Sequence, residues 1–560
     1  MRKAKIIATI GPSSSSKEVL VELINSGVNV CRVNMSHGTY EAHQEVIKNI
    51  RAASVTTGYE VGILADLQGP KIRVDKLPEP LVLKSGSTWV IGSSKLKDKF
   101  PEYKDQYIPT IYENLVNDCH DGARILFDDG LIIAKAIARD RDVYKIEVII
   151  GGTLKSNKGI NLPDCDVSAP AFTDKDRADL MFALKEGVDF VALSFVRKKE
   201  DILAVKSLLH SLRVNIPIIS KIEKPQAINN LDEILTVTDM IMVARGDMGV
   251  ELGNHLVPSS QKYIISKCNQ KGIPVITATQ MLESMTENPT PTRAEASDVA
   301  NAIWDGTDAV MLSGETASGK YPIETIKMMD KIVQEAEKTP RERPLLRNQD
   351  LSSMTSSIMV AASMIAEKIG AKRIISITES GSSCLKITQF RSSVPVLGIT
   401  NSIKVARRMC LYWGVSPFIV IDKKEEDNEF YNGVLESVKQ KLKLKNGDKI
   451  VLTRGDGKFF SKGGSNSVKV ELIKDVPKIL GGSEGLVEAE DDQKRILLDT
   501  NMCGSCQLCI QICPHEIWSV ESSVDKNTKL NADKINKCTL DMACVENCPT
   551  GAIDIISKIS

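Results

Sequence analysis

Near-continuous apolar runs, each closed by one or two polar residues, recur through the first 315 positions of the chain. They are "KIIATIG" (5–11), "VNVCRVN" (28–34), "VGILADLQG" (61–69), "FVALSFV" (190–196), "PIISKIE" (217–223), "MIMVARG" (240–246), "PVITATQ" (274–280) and "AVMLSG" (309–314). A strand buried on both faces reads this way, because its alternating side chains meet two apolar environments. Helical periodicity fills most of the intervals, so the pattern predicts eight parallel strands with helical crossovers, a (β/α)8 TIM barrel. One interval, 70–189, is too long for a crossover. Its alternating stretches "ARILFDDGLIIAKAIA" and "VYKIEVIIGGTL" predict a small β domain inserted at the barrel's catalytic face.

After "KTPRERP" (338–344) five further runs, 373–380, 394–400, 416–422, 449–455 and 468–473, predict a second α/β domain. "GGSEGLVEAEDDQK" (481–494) is rich in Gly and acid and reads as a linker. A cysteine-rich α+β module follows. The expected division is barrel 1–69 and 169–337, inserted lid 70–168, α/β domain 338–475, linker 476–494 and module 495–560.

A chain of 560 residues divides into roughly three or four domains, which agrees with this pattern. Lys plus Arg and Asp plus Glu are equal at 72 each, so no global field favours nucleic acid or an anionic membrane. No apolar stretch reaches the roughly 18 residues of a membrane span. The start, "MRKAKIIATIGPSS", reads as a first buried strand and not as a secretory signal, which places the protein in the cytoplasm. Of thirteen cysteines, six (Cys31, Cys119, Cys165, Cys268, Cys384, Cys410) are scattered and read as reduced, small apolar residues. The other seven lie between 503 and 548.

Barrel enzymes carry their chemistry at the carboxyl ends of the strands. Here those ends hold Arg32, Asn34 and Ser36; Asp66; Ser194; Lys221 and Glu223; Arg245 and Asp247; Thr277 and Thr279; and Ser313 and Glu315. Any one of these is more simply a cap or an ion pair. Together they are hard to ascribe to chance. Glu223 and Asp247, on neighbouring strands, suit Mg²⁺ or Mn²⁺, hard ions that keep water and take phosphate oxygens. Arg32, Arg73 and Lys221 suit the oxygens of a phosphoryl group in transfer. The residues alone point to a metal-assisted, phosphate-handling enzyme.

The motifs "CRVNMSHGTYEAH", "ADLQGPKIR", "KGINLP", "SKIEKPQAI", "ARGDMGVEL", "TATQMLESM" and "PTRAEASDVANAIWDGTDAVMLSGETASGKYP" resemble those of pyruvate kinases, in order, over about residues 1–475. The resemblance implies phosphoryl transfer from phosphoenolpyruvate to ADP, giving pyruvate and ATP, in a cytoplasmic homotetramer. It implies Lys221, Arg32, Arg73 and Thr279 as catalytic residues, Thr279 on the proton path to the enolate. It implies Ser194, Gly246 and Asp247 around phosphoenolpyruvate, with the Gly246 and Asp247 N–H groups on its carboxylate. Thr9, Pro12, Asn34, His37, Arg73 and Lys158 match nucleotide-side positions, and Glu223 and Asp247 match the protein ligands of Mg²⁺.

Many members of that family read D-T-K-G-P-E-I-R at the third strand end and bind K⁺ near Asn34, Ser36 and Asp66. This chain reads "DLQGPKIR", with Lys71 where those members carry Glu. An ammonium there would supply the charge of K⁺, so no K⁺ requirement is expected; the alternative is a solvent-facing Lys at the lid hinge. In the second α/β domain "TESGSS" (378–383), with Thr378, Ser380, Ser382 and Ser383, forms either a phosphate nest for an allosteric effector or a plain capping turn. The family's arginine between Gly and Ser is absent, which leaves the effector open.

Cys503, Cys506, Cys509 and Cys513 have the C-x₂-C-x₂-C-x₃-C-P spacing of bacterial ferredoxins. "CTLDMACVENCP" repeats it with Asp541 at the second cysteine's place. Residues 495–560 resemble a two-cluster ferredoxin, in which the fourth cysteine of each run crosses to the other cluster. The resemblance implies Cys503, Cys506, Cys509 and Cys548 on one 4Fe-4S cluster. It implies Cys513, Cys538, Cys544 and Asp541 on a second, 4Fe-4S or 3Fe-4S. Four thiolates also suit Zn²⁺. The tail then serves redox sensing or docking to a ferredoxin-linked oxidoreductase, or is a structural appendage; a pseudoenzyme scaffold is the remaining alternative.

Overall fold

The computed structural model describes residues 2–339, 353–420, 428–455, 465–473, 486–490, 494–500, 502–503, 508–513, 515–520, 528–538, 543–546, 548 and 552–557. Cys506 and Asp541 lie outside the described residues. The chain forms two compact units, Met1–Ile473 and Lys474–Ser560.

In the first unit eight parallel strands close a barrel: Lys5–Thr9, Val30–Asn34, Gly62–Asp66, Phe190–Leu193, Ile218–Ile222, Met240–Ala244, Val275–Ala278 and Ala309–Leu312. Each pairs with its sequence neighbours, and the first pairs with the last through Lys5↔Ala309. The two faces of each strand are both apolar. Ile7, Leu64, Phe190, Ile219, Met242 and Met311 belong to one buried cluster, while Ile6, Ile63, Val191, Ile218 and Val310 pack in another with Leu23, Ile50 and Val205 of the surrounding helices. The unbroken apolar runs in the sequence reflect this double burial. The helices begin on side-chain caps such as Ser16, Thr39 and the Thr292–Glu295 capping box, so their positions are locally specified.

Residues following the third strand leave the barrel and return before the helix Asp174–Lys185. They build a six-stranded sheet in the order Ile160–Asn161, Arg124–Phe127, Ile132–Asp140, Val143–Ile150, Thr88–Ser93, Tyr107–Thr110, antiparallel except for the last pair. A hairpin-like pair, Leu81–Leu83 with Gly152–Leu154, lies beside it. The exit hinge needs glycine at 69: φ is +70°, and an added Cβ would stand 2.9 Å from the Phe195 ring. The second α/β domain is a five-stranded sheet ordered Val415–Ile419, Val396–Thr400, Arg373–Ile377, Lys449–Arg454, Ser467–Leu472. Its last strand is antiparallel. Ile374, Val396, Val415 and Val451 belong to the cluster that includes the barrel's Ile7 and Leu64, while Ile375, Leu397 and Ile450 form a separate core.

In the second unit, Leu486–Glu490, Lys494–Asp499 and Ile553–Ser557 form an antiparallel sheet, and Trp518–Val520 pairs with Thr528–Leu530. The linker expected through 494 is corrected here: the alternating "LVEAE" is an edge strand, its acidic residues having masked a period-two pattern.

Candidate active site

Lys221 organises the mouth of the barrel. Its Nζ donates to Ser194 Oγ at 2.8 Å and lies 3.0 Å from Glu223 Oε1 and 3.5 Å from Asp66 Oδ1. Burial opposes its charge, but Asp66, Glu223 and Asp247 together hold its pKa above the usual lysine range. Parallel register sets Asn34 beside Asp66, and Asp66 Oδ2 accepts from Arg32 Nε at 2.7 Å. Arg32 also donates to Thr9 Oγ1 at 3.0 Å, whose hydroxyl donates to Leu312 O. Burial pushes Asp66 toward neutrality, yet Lys221 and Arg32 outweigh it and keep the carboxyl below its ordinary pKa. Two cations and three carboxylates thus converge from the second, third, fifth and sixth strand ends.

Glu223 is fully buried, and its Oε2 accepts from the Phe195 N–H at 2.6 Å. Burial and the neighbouring Asp247 raise its pKa to about 7 against the pull of Lys221. Oε1 of Glu223 and Oδ1 of Asp66 both face the Lys221 ammonium. Glu223 and Asp247 are hard oxygen donors at neighbouring strand ends, a donor set that fits Mg²⁺. Among the described residues no three His, Cys, Asp or Glu side chains group closely enough to hold one ion by themselves.

The sixth strand ends at Ala244, two residues short of the sequence expectation, and Arg245–Leu252 is helical. Asp247 therefore sits in that helix's first turn, where free N–H groups face an anion. The Gly246 N–H donates to Thr279 Oγ1 at 2.8 Å. Thr279 reaches it from a left-handed backbone, φ 67°, followed by Gln280 at 52°. Consecutive residues in that region, one of them β-branched, store strain of the kind found where a side chain must be aimed.

Arg245, Glu315 and Thr277 are held in local hydrogen bonds. Arg245 pairs with Asp298 at 2.7 Å and binds the carbonyls of Thr279 and Gln280. Glu315 accepts from the Ser313 and Leu282 N–H groups, and Thr277 donates to Thr307. Asn34 Oδ1 accepts from Ser36 N; His37 and Pro12 are exposed at the rim. Arg73 and Lys158 belong to the lid hinge and lid. Arg73 donates to Asn157 O at 3.0 Å, and Lys158 pairs with Asp128 at 2.7 Å. Lys71 Nζ lies 3.8 Å from Asp129 of the lid.

Residues 1–326 match the family described as "Pyruvate kinase, barrel domain", and residues 356–471 match "Pyruvate kinase, alpha/beta domain". The chain belongs to the pyruvate kinase family. It is 43% identical over 480 residues to a pyruvate kinase of Staphylococcus epidermidis, covering 85% of this chain and 81% of the relative. Against pyruvate kinase 2 of Synechocystis the identity is 43% over 491 residues, 87% and 81% of the two chains. A pyruvate kinase of Staphylococcus aureus is 42% identical over 481 residues, with 85% and 81% covered. As in its family, this chain is a phosphotransferase acting between phosphoenolpyruvate and ADP. No helix among the described residues is long and apolar enough to cross a membrane.

Sequence reasoning missed Asn161 and Glu251, which lie in two of the motifs that carry the pyruvate kinase resemblance. Asn161 donates to Glu251 Oε1 at 2.8 Å, and Lys224 donates to the same oxygen at 2.6 Å. In the "TESGSS" loop Gly381 takes the left-handed conformation, φ 84°, and its N–H donates to Thr378 Oγ1 at 2.9 Å. Ser380 bonds Ser382 at 3.0 Å, and Ser383 bonds Ser465 at 2.7 Å. Thr378 and Ser383 are buried and locked; Ser380 and Ser382 face solvent.

In the second unit the described thiols share one apolar cluster. Cys503 and Cys548 are neighbours of Cys509, and Cys513 and Cys538 of Cys544. Burial raises both central thiols. Cys513, Cys538 and Cys544 line one pocket with His515 and Trp518.

Proposed function

We propose that Lys221, held between Ser194, Glu223 and Asp66, stabilises the phosphoryl group as it passes from phosphoenolpyruvate to ADP. Its position at the meeting point of the carboxylates is the observation that carries this reading. Arg32 and Arg73 neutralise the equatorial oxygens, where charge develops in a loose transition state. The N-terminus of the helix at Arg245, with the Asp247 N–H, receives the substrate carboxylate. Glu223 and Asp247 would hold Mg²⁺, which would supply Lewis-acid neutralisation of phosphate charge. The enolate left after transfer takes a proton at its methylene carbon, and the Thr279 hydroxyl relays it. Thr9, Asn34, His37, Pro12 and Lys158 border the nucleotide side, and lid closure excludes water that would hydrolyse the phosphoryl group.

The test is Lys221→Met, assayed for ATP formation from phosphoenolpyruvate and ADP alongside direct substrate-binding measurements. Turnover should fall by at least about 10²–10³, the worth of one well-placed stabilising group, with phosphoenolpyruvate affinity far less affected. A variant within tenfold of the parent would remove Lys221 from this role.

The enzyme is further proposed to act without K⁺, through Lys71, as a cytoplasmic homotetramer whose "TESGSS" loop takes a phosphorylated effector on Ser380 and Ser382. For the tail we favour two iron–sulfur clusters. The cysteine spacing of the two runs, with the described thiols in one apolar cluster, supports this. The clusters would serve redox sensing or docking of a ferredoxin-linked oxidoreductase that consumes pyruvate. Anaerobic purification with iron and sulfide analysis tests the clusters. Deletion of 495–560, followed by kinetics under oxidising and reducing conditions and by co-purification, tests their use.

A further inference from the structure

Two of the scattered cysteines are not isolated. Cys119 closes the short lid helix Leu115–Asp118, and Cys165 lies on the strap that returns the lid to the barrel. Hydrogen bonds bind the two segments together on both sides of the pair. His120 Nε2 lies 3.1 Å from Asp164 O, Arg124 forks onto the Asp164 carboxylate at 2.8 and 3.0 Å, and Asp118 accepts from the Ser168 N–H at 2.8 Å. Between these ties the two thiols pack in one buried apolar cluster, both reduced and only 8% and 2% exposed. The other face of the strap is fastened to the barrel: Arg197 donates to Ala169 O at 2.9 Å, and Gln226 donates to Asp166 at 3.2 Å.

We infer that Cys119 and Cys165 form a redox-modifiable dithiol that, on oxidation by a hydroperoxide, closes into a disulfide fixing the lid to its return strap. Geometry supports an order of events. His120 stands beside the pair, and its ring favours the Cys165 thiolate. Both ring nitrogens of His120 lie 3.1 Å from backbone carbonyls, which favours the doubly protonated, cationic ring. The Cys165 thiolate attacks the peroxide O–O bond; with one proton taken up, this gives a sulfenic acid and one hydroxyl-bearing product, water in the case of hydrogen peroxide. The Cys119 sulfur then attacks the sulfenic sulfur, its proton leaving with the hydroxyl as a second water. Two thiols are oxidised by two electrons and one peroxide is reduced. A reducing dithiol reverses the bridge by exchange. The bridge would join the lid helix covalently to the strap whose other face is fastened to the barrel, so the conformational step of lid closure should slow.

The test treats the full chain with hydrogen peroxide, maps disulfides by peptide mass spectrometry and follows lid motion by hydrogen exchange. A Cys119–Cys165 linkage is expected, reversed by dithiothreitol, with greater exchange protection over 118–121 and 162–168. Turnover should fall roughly threefold or more in the parent, and less in Cys119→Ser and Cys165→Ser. Tail oxidation is common to all three proteins, so the difference isolates the pair. If the thiols of the tail oxidise while 119 and 165 remain unlinked, the inference is overturned. Equal loss of turnover in parent and variants overturns the control of the lid. Mapping of the unsubstituted protein decides the linkage even where a serine variant fails to fold.

Discussion

Asn161 of the lid donates to Glu251 of the barrel across 2.8 Å, at a carboxylate that is completely buried. Lys224 neutralises that carboxylate at 2.6 Å with 12% of its side chain exposed, so the lid's last strand closes onto a pre-formed ion pair. A hydrogen bond to a buried charge is worth about 1.5–3 kcal/mol. Asn161→Ala should therefore lower kcat/KM by roughly tenfold or more and raise hydrogen exchange at the lid hinge. Glu251→Gln leaves the Lys224 ammonium without its countercharge and should cost about 3 kcal/mol in unfolding experiments. Unchanged exchange in Asn161→Ala would show that the bond does not hold the lid.

Lys5 predicts an alkaline stability signature. Its Nζ donates to Val415 O at 2.6 Å; burial, with Arg2 adding, lowers its pKa to about 8 against the pull of Cys410 and Glu337. The unfolded chain, with its ordinary value of 10.5, holds this proton more tightly, so between pH 8 and 10.5 the group's contribution to stability rises with pH. Below pH 8 folding carries the full cost of burying the ammonium. The stability of Lys5→Met relative to the parent should decline from pH 7.5 to pH 10.5, by at most about 3 kcal/mol. Urea titrations across that range measure it; a flat difference would mean that Lys5 is not desolvated.

Lys71 makes one ion pair among the described residues, to Asp129 at 3.8 Å, and its side chain is 27% exposed. Five positions after Asp66, it remains the cation expected to stand in for K⁺ in the substrate-bound enzyme. Turnover in tetramethylammonium chloride should match that in KCl at equal ionic strength. Lys71→Glu should acquire a K⁺ requirement. Tenfold stimulation of the parent by K⁺ would refute the substitution of one cation for the other.

Asp541 predicts inequality between the two proposed clusters. A carboxylate is a harder, more readily exchanged iron ligand than a thiolate. Anaerobic EPR of the full chain should show one persistent four-iron cluster and one that converts between three- and four-iron forms as iron is added. Asp541→Cys should yield two stable four-iron clusters. Iron for a single cluster after reconstitution would sink the assignment of the second.

The barrel was legible because its strands are buried on both faces, which leaves eight apolar runs that no other common architecture explains. Lys221, Glu223, Asp66 and Arg32 were legible because polar residues at the ends of such runs are out of keeping with their surroundings. Arg245, Glu315 and Thr277 carried the same signal but are held in local hydrogen bonds; a strand-end position does not say whether a side chain turns to the mouth or to a neighbouring loop. The strand Leu486–Glu490 was hidden by its acidic residues, which composition assigns to a linker although their spacing has period two.

Local sequence determined the elements, their caps and their order, because hydrophobic period and capping chemistry act over only a few residues. It also determined the family, through motifs short enough to be read intact. Only the tertiary structure decided which distant groups meet: Asn161 with Glu251, Cys119 with Cys165, and Lys5 with the Val415 carbonyl. Those meetings depend on how the lid and the second α/β domain pack on the barrel. Packing is fixed by shape and burial summed over many side chains, and no short stretch of sequence contains that sum.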